Sequence, residues 1–263
     1  MAGLAKGPIL VFDSGVGGLS VLAAARTLLP SKRFIYVADD AAFPYGNWTD
    51  DALLKHILEK VEALVATYAP QAIVVACNTA STLVLPALRQ RFPETPIVGT
   101  VPAIKPAALQ TQSGVIAVLA TPATIARDYT RTLMQQYAAG VQVALVASRH
   151  LAAQAEQLLH HGTVDADVIR QEIAPCFATH ATGRTDHVVL GCTHYPLLLE
   201  QLRLLAPWPV EWIDPSVAIA RQLAKVVGEV AEDSSDGGAI SENIALFTSG
   251  APVPAAVAAI LAR

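Results

Sequence analysis

Short apolar runs, rich in β-branched residues, recur along this chain and alternate with longer amphipathic stretches. The candidate strands are PILVFD (8–13), RFIYVAD (33–39), AIVVAC (72–77), PIVGTV (96–101), GVIAVLAT (114–121), VQVALVA (141–147), HVVLGC (187–192), VEWID (210–214) and NIALFTS (243–249). Strands covered on both faces need this nearly continuous apolar character, rather than strict alternation. With helix-like segments between them, the runs restrict the chain to an α/β fold with mainly parallel sheets. One helical segment runs through Asp51–Tyr68, where Thr49 or Asp50 is placed to cap it by accepting from unpaired N–H groups.

Proline-bearing seams at GTVPAIKP (99–106) and LAPWPVEWIDP (205–215) punctuate the pattern twice. They divide the chain into a first lobe, residues 1–100 plus 212–263, and a second, residues 101–211. The polar, glycine-rich EDSSDGG (232–238) reads as a surface turn. Two segments align on their cysteines, VVACNT (74–79) and VVLGCTH (188–194), 115 residues apart in Cys77 and Cys192. Two related α/β lobes would account for them.

With 53% hydrophobic and 15% charged residues, a chain of 263 residues has the composition of a packed enzyme, not of a disordered segment. The formal net charge is −4, and lysine and arginine do not cluster, so a nucleic-acid or anionic-membrane partner has no electrostatic footprint. No apolar stretch reaches the roughly 18–20 residues of a membrane helix. The N-terminal stretch lacks a signal-peptide core and cleavage site, so reduced thiols in a cytoplasm are expected.

Ligands in open α/β sheets bind beyond the carboxyl ends of the strands. Polar residues gather at those ends here: Asp13 and Ser14 after the first strand, Asp39, Asp40, Tyr45 and Gly46 after the second, and Cys77, Asn78 and Thr79 after the third. Thr121 and Thr124 follow a later strand, and Cys192, Thr193 and His194 follow another. SGVGGLS lacks the third glycine of a dinucleotide fingerprint and reads as a tight strand-to-helix turn. Cys176, in IAPCFATH, reads as a core residue; a Cys176/His180 metal pair at helical spacing has no further ligands. Cys77 and Cys192 differ, because each falls where a strand gives way to a helix, and a helix N-terminus lowers a thiol pKa from about 8.5.

Two such thiols without a C-x-x-C spacing do not make a redox pair. They suit two acid/base groups working opposite faces of one carbon, one removing a proton and the other delivering one. A pyridoxal-dependent route needs a Schiff-base lysine, and Lys105 is not set in a suitable site. Asp13 is placed to help one thiol, and His194 lies two residues from the other.

Taken in order, FDSGVGGLSVL (12–22), FPYGN (43–47), ACNTAS (76–81) and LGCTHYPLL (190–198) closely resemble motifs of the glutamate racemases, cofactor-independent members of the aspartate/glutamate racemase superfamily. VPAIKPA (101–107), ATPATI (120–125), IDPSVAIA (213–220) and NIALF (243–247) extend the resemblance over nearly the whole chain. It implies two pseudo-symmetric α/β lobes, the second inserted into the first, with the active site in the cleft between them. It also implies interconversion of L- and D-glutamate without cofactor or metal, supplying D-glutamate for peptidoglycan and hence for cell-wall building and cell shape. By that match Cys77 takes the proton from D-glutamate and Cys192 from L-glutamate, helped by Asp13 and His194 respectively. The pairs Asp13 and Ser14, Tyr45 and Gly46, Asn78 and Thr79, and Thr193 and His194 match substrate-binding positions, with Thr121 placed beside them. Glu156, in AAQAEQLLHHG, aligns with a further acidic residue of the site.

Ala38–Asp39–Asp40 departs from the glycine-aspartate-threonine of many members. With VPAIKPA, it resembles a branch activated by a nucleotide-linked cell-wall precursor. A monomer or homodimer is expected. The competing readings are a racemase of aspartate or a related acid, and a non-catalytic amino-acid-binding protein.

Overall fold

A computed structural model of the chain describes residues 7–228 and 242–262. In chain order the elements are β1 (Ile9–Asp13), α1 (Leu19–Leu28), β2 (Phe34–Ala38), α2 (Asp50–Tyr68), β3 (Ala72–Val75), α3 (Asn78–Arg91) and β4 (Ile97–Gly99). There follow α4 (Ile104–Gln110), β5 (Val115–Ala120), α5 (Pro122–Ala126), α6 (Asp128–Tyr137), β6 (Gln142–Ala147), α7 (Leu151–His161) and α8 (Ala166–Ile173). A short hairpin, β7 (Thr179–His180) and β8 (Gly183–Arg184), precedes β9 (His187–Gly191), α9 (Leu199–Leu205) and β10 (Glu211–Ile213). The last elements are α10 (Ser216–Val227), β11 (Ile244–Phe247) and α11 (Ala255–Ala262). They group into two compact units, Met1–Gly99 with Ser216–Arg263, and Thr100–Pro215.

In the first unit a five-stranded parallel sheet runs β11-β2-β1-β3-β4. Alternate residues of its central strands point into separate layers, and both layers are dry. Leu10, Phe12, Ile35, Val37, Ile73 and Val75 share one core with Leu53, Ile57 and Val61 of α2 and Val84 and Leu88 of α3. Ile9, Val11, Phe34, Tyr36 and Val74, the intervening residues, are equally buried. That is why these strands read as unbroken apolar runs. Helix α2 buries one residue every fourth position, Leu53, Ile57 and Val61, and carries Asp50 and Asp51 in its first turn, where the helix dipole favours negative charge. Thr49 occupies the cap position, but its side chain makes no capping bond.

The second unit holds a four-stranded parallel sheet, β10-β9-β5-β6. Ala117, Leu119, Val188 and Leu190 pack with Leu151, Ile169, Ile173 and Tyr195 on one side. Ile116, Val118 and Val189 pack with Ile104, Ala107 and Ala138 on the other. Read from its first strand outward, this sheet has the same order as β2-β1-β3-β4 of the first unit. Strand β5 corresponds to β1, β6 to β2, β9 to β3 and β10 to β4.

Several expectations shift. The seam expected at 211/212 falls at Pro215, because β10 pairs with β9 and so belongs to the second unit. The paired strand before Cys77 ends at Val75, two residues short of the expected end. Cys176 closes a 3₁₀ turn, Ala174–Cys176, while His180 lies in β7, so the two share no helical face. Cys176 is fully buried in the second unit's core, and burial pushes its thiol pKa up. The β7–β8 hairpin escaped sequence reading because two-residue strands carry no detectable period. The expected turn at 232–238 lies outside the described residues.

Asp186 fastens the turn before β5 to the start of β9. Its carboxylate accepts from Thr111 Oγ1 (2.7 Å) and from the N–H groups of Gln112 (2.8 Å) and Ser113 (2.9 Å), and pairs with His187 Nδ1 (2.8 Å). Partial burial alone would raise its pKa, but these hydrogen bonds together hold it well below the usual carboxylate range. A depressed folded-state pKa contributes stability above the unfolded value, about 3.9, that is lost as pH falls through the folded one. Asp186→Asn should therefore destabilise the protein most near pH 7, and the difference from wild type should shrink below about pH 4. Urea titrations across pH would show this; a deficit independent of pH would contradict it.

Candidate functional site

In a parallel sheet the crevice for a ligand opens where strand order reverses, beyond the strand carboxyl ends. The chain moves from β1 to β2 on one side and then returns to place β3 on the other, so the first unit reverses between β1 and β3. Asp13 ends β1, and Cys77 and Asn78 follow β3. The second unit reverses between β5 and β9, where Thr121 and Cys192 follow strands held in register at Ala120 and Gly191. Both thiols thus occupy the corresponding place in their own sheet.

Around the first thiol the polar residues are almost entirely buried: Asp13 0%, Ser14 5%, Cys77 6%, Asn78 1% and Thr79 4% exposed. Cys77 is the N-cap residue of α3, at the positive end of that helix. Asp13 Oδ1 accepts from the Gly15 N–H at 3.1 Å, which fixes the carboxylate at the turn. Gly18 permits that turn, since a Cβ there would meet Asp13 Cβ at 2.9 Å and Ala76 Cβ at 3.1 Å. Neither polar atom of the Asn78 side chain has a hydrogen-bond partner among the described residues. A buried amide left unmatched costs about 1–3 kcal/mol, a cost that a bound polar ligand would remove.

Tyr45, 3% exposed, packs in the same core cluster as Cys77. Its hydroxyl donates to Asp39 Oδ2 at 2.6 Å, and His56 Nε2 meets the same oxygen at 2.6 Å. Thr248 donates to Asp39 Oδ1 at 2.9 Å. Burial, then the charge and hydrogen bond of Asp39, then the nearby Cys77 and Asp13, push the phenol pKa far up, so Tyr45 stays neutral. Gly46, by contrast, is exposed. Asp39 had been visible as a polar residue after β2; nothing in the sequence singled out His56 or Thr248, which reach it from α2 and from the end of β11.

The second thiol is served differently. No helix starts directly after Cys192: a turn through Thr193 and His194 leads into the 3₁₀ segment Tyr195–Leu198, and α9 follows only at Leu199. The expected helix N-terminus is therefore absent at Cys192, and a histidine stands in for it. His194 is 2% exposed; its Nδ1 lies 3.8 Å from Cys192 Sγ and its Nε2 2.8 Å from Glu156 Oε1. A carboxylate only accepts, so Nε2 carries a proton, and Nδ1 faces the sulfur, to which it presents a lone pair whenever the ring is neutral. His160 Nε2 approaches the other Glu156 oxygen at 3.3 Å from one turn further along α7. Thr193 is buried; the Thr121 hydroxyl caps α5, accepting from the Thr124 N–H at 3.2 Å. Gly191 lets β9 lie close to β5 just before the thiol, because a Cβ there would meet Ala120 Cβ at 2.8 Å.

Lys105 spans from α4 to the ring of Tyr137, 5.1 Å from its centroid. An apolar cavity of about 250 Å³ in the first unit, lined by Phe12, Val37, Lys60, Leu64, Tyr68 and Leu246 among others, does not include Cys77.

The family model described as Asp/Glu/Hydantoin racemase matches residues 20–223. The chain is 55% identical to the glutamate racemase of Mesorhizobium japonicum over 243 residues, 92% of each chain. It is 51% identical to that of Brucella canis over 245 residues, 93% of this chain and 88% of the relative. Among solved structures, Escherichia coli glutamate racemase in complex with L-glutamate and the activator UDP-MurNAc-Ala superposes with a TM-score of 0.83 at 40% identity, over 97% of this chain and 92% of that one.

The Glu156–His194 pair makes a spectroscopic prediction. In protein labelled with ¹⁵N-histidine, the neutral His194 ring should be protonated at Nε2, and Glu156→Ala should abolish that preference. An Nδ1-protonated ring in the wild type would overturn the assignment.

Proposed function

Because this chain belongs to the Asp/Glu/Hydantoin racemase family, we propose that it interconverts L- and D-glutamate with Cys77 and Cys192 as paired acid/base groups. It is an amino-acid racemase, an isomerase. The observation that carries the two-thiol reading is their equivalence: each follows the third strand of a sheet of order 2-1-3-4, at the point where strand order reverses.

In this mechanism the Cys77 thiolate takes the α-proton of D-glutamate. The S–H bond forms as Cα–H breaks, and the electron pair delocalises into the α-carboxylate. The Cys192 thiol then delivers its proton to the opposite face, leaving a thiolate and L-glutamate. L-glutamate runs the same steps in reverse. Asp13 supports the first thiol, at the N-cap of α3. The Nδ1 lone pair of His194, oriented by Glu156, relays protons for the second. Ser14, Tyr45, Gly46, Asn78, Thr79, Thr121 and Thr193 bind the substrate. Asn78 suits that role through its buried, unmatched amide, able to donate and accept at once. No cofactor is required, because the carboxylate holds the charge that a pyridoxal ring would otherwise take up.

In this reading the enzyme works in the cytoplasm and supplies D-glutamate for peptidoglycan. No helix among the described residues is long and apolar enough to cross a membrane.

Each glutamate enantiomer, incubated in heavy water without added cofactor, should exchange its α-proton and lose optical rotation, whereas aspartate should react far more slowly. No exchange from either enantiomer would sink the proposal. Cys77→Ser and Cys192→Ser should each lower turnover by about 10²-fold or more, with Cys176→Ser retaining it; a fully active Cys77 or Cys192 variant would break the two-base assignment.

The nucleotide-linked cell-wall precursor is proposed as an activator, supported by the likeness to the E. coli enzyme. Added UDP-MurNAc-Ala should raise kcat/KM and bind in calorimetry. Full activity without it, together with no binding, would remove this part of the reading.

A further inference from the structure

The loop from β2 to α2, residues 39–49, is braced across itself. Asp39, its first residue, is fully buried, and its Oδ2 accepts from the Tyr45 hydroxyl at 2.6 Å. Trp48 Nε1 donates to the Ala42 carbonyl at 2.9 Å, a second tie over the same span. Two neighbouring elements hold the brace from outside. His56, on α2, brings Nε2 to Asp39 Oδ2 at 2.6 Å and sets its ring against Trp48, with centroids 4.9 Å apart. Thr248, just past β11, donates to Asp39 Oδ1 at 2.9 Å and accepts from the Ala41 N–H at 3.2 Å. The Asp39 N–H donates to the Asp13 carbonyl at 2.8 Å, which fixes the base of the loop to β1.

What the brace holds is the turn Tyr45–Asn47. The Tyr45 ring is buried and its hydroxyl is tied down, whereas Gly46 beside it is exposed. A Cβ built on Gly46 would meet no protein atom within 4 Å, so the backbone there faces open space. Fixing a loop residue costs about 1–2 kcal/mol in entropy, and a buried carboxylate is costly unless its oxygens are matched. A loop ordered at that expense, with a bare stretch of backbone at its tip, has the form of a preformed ligand contact. Its ordering is complete before a ligand arrives and does not weaken binding.

We propose that Asp39, His56 and Thr248 are positioning residues for glutamate binding: they hold the Tyr45–Gly46 turn in place for the substrate. The three act through that turn, and their contribution falls on KM. This rests on the glutamate reading, in which Tyr45 and Gly46 bind the substrate, and adds to it what keeps that pair in place.

A loosened turn would have to be ordered by each substrate molecule, which weakens ground state and transition state alike. KM then rises while kcat stays. In His56→Leu, KM for both enantiomers should rise about tenfold, the scale of one hydrogen bond to a charged group. Thr248→Val, of nearly the same shape, should raise it in the same sense. His56→Gln, whose amide N–H can stand where Nε2–H stood, should restore most of the wild-type KM. Gly46→Ala gives a second measure, because its methyl group meets nothing in the protein: the melting temperature should hold while KM rises. A wild-type KM in both His56→Leu and Thr248→Val would overturn the proposal and leave Asp39 a purely structural carboxylate. So would a fall in kcat at constant KM, the mark of a smaller folded fraction. A wild-type KM in Gly46→Ala would also overturn it, by removing the turn from binding, while racemisation itself stood. A wild-type enzyme that racemises neither enantiomer would instead overturn the glutamate reading beneath it.

Discussion

A parallel sheet buried on both faces leaves one kind of place for polar chemistry, the ends of its strands. Every part of the proposed site follows from that constraint. Within the strands, Leu10, Phe12, Val74, Val118 and Val189 are completely dry, and a polar side chain there would pay for desolvation without a partner. Past the last paired residue the backbone turns, N–H groups come free, and small polar side chains are tolerated. The reversal of strand order then selects which ends matter, β1 and β3 in one unit and β5 and β9 in the other.

Equivalent position does not bring equivalent chemistry. Cys77 caps a helix of 14 residues and has Asp13 on the adjoining strand. Cys192 is followed by a turn and a short 3₁₀ segment, which provide little aligned dipole. A buried imidazole held by a carboxylate compensates there. In the proposed mechanism the two thiols would thus be supported by different electrostatic means, one through backbone and carboxylate, the other through a side-chain relay. Where a sheet repeats within one chain, its strand order is the feature shared by the halves, while the loops that tune the site diverge.

The central strands were legible because two-sided burial writes itself as apolar runs. The partly exposed edge strands β6 and β11 were legible from their apolar, β-branched composition, and each of the nine expected runs contains a strand. Their ends were less so: AIVVAC pairs only through Val75, since the chain leaves the sheet before the apolar run stops. Glu156 shows the opposite limit. In sequence it is one acid on an amphipathic helix, and only folding sets its oxygen 2.8 Å from a histidine 38 residues away. The Thr49 side chain, a sound cap by type, makes no capping bond.

Local pattern alone therefore determined the fold class, the strands and the two thiols, because periodicity and residue type act over a few neighbours. Family motifs, themselves short and local, carried the rest of the expected site. Only the tertiary structure decided which polar groups come together. Asp39, His56 and Thr248 are separated by 17 and 192 residues along the chain, and no local preference links them. They meet because β11 adds to the edge of the sheet beside β2 while α2 packs across its face, and a buried carboxylate at that corner must be matched by whatever donors the packing delivers.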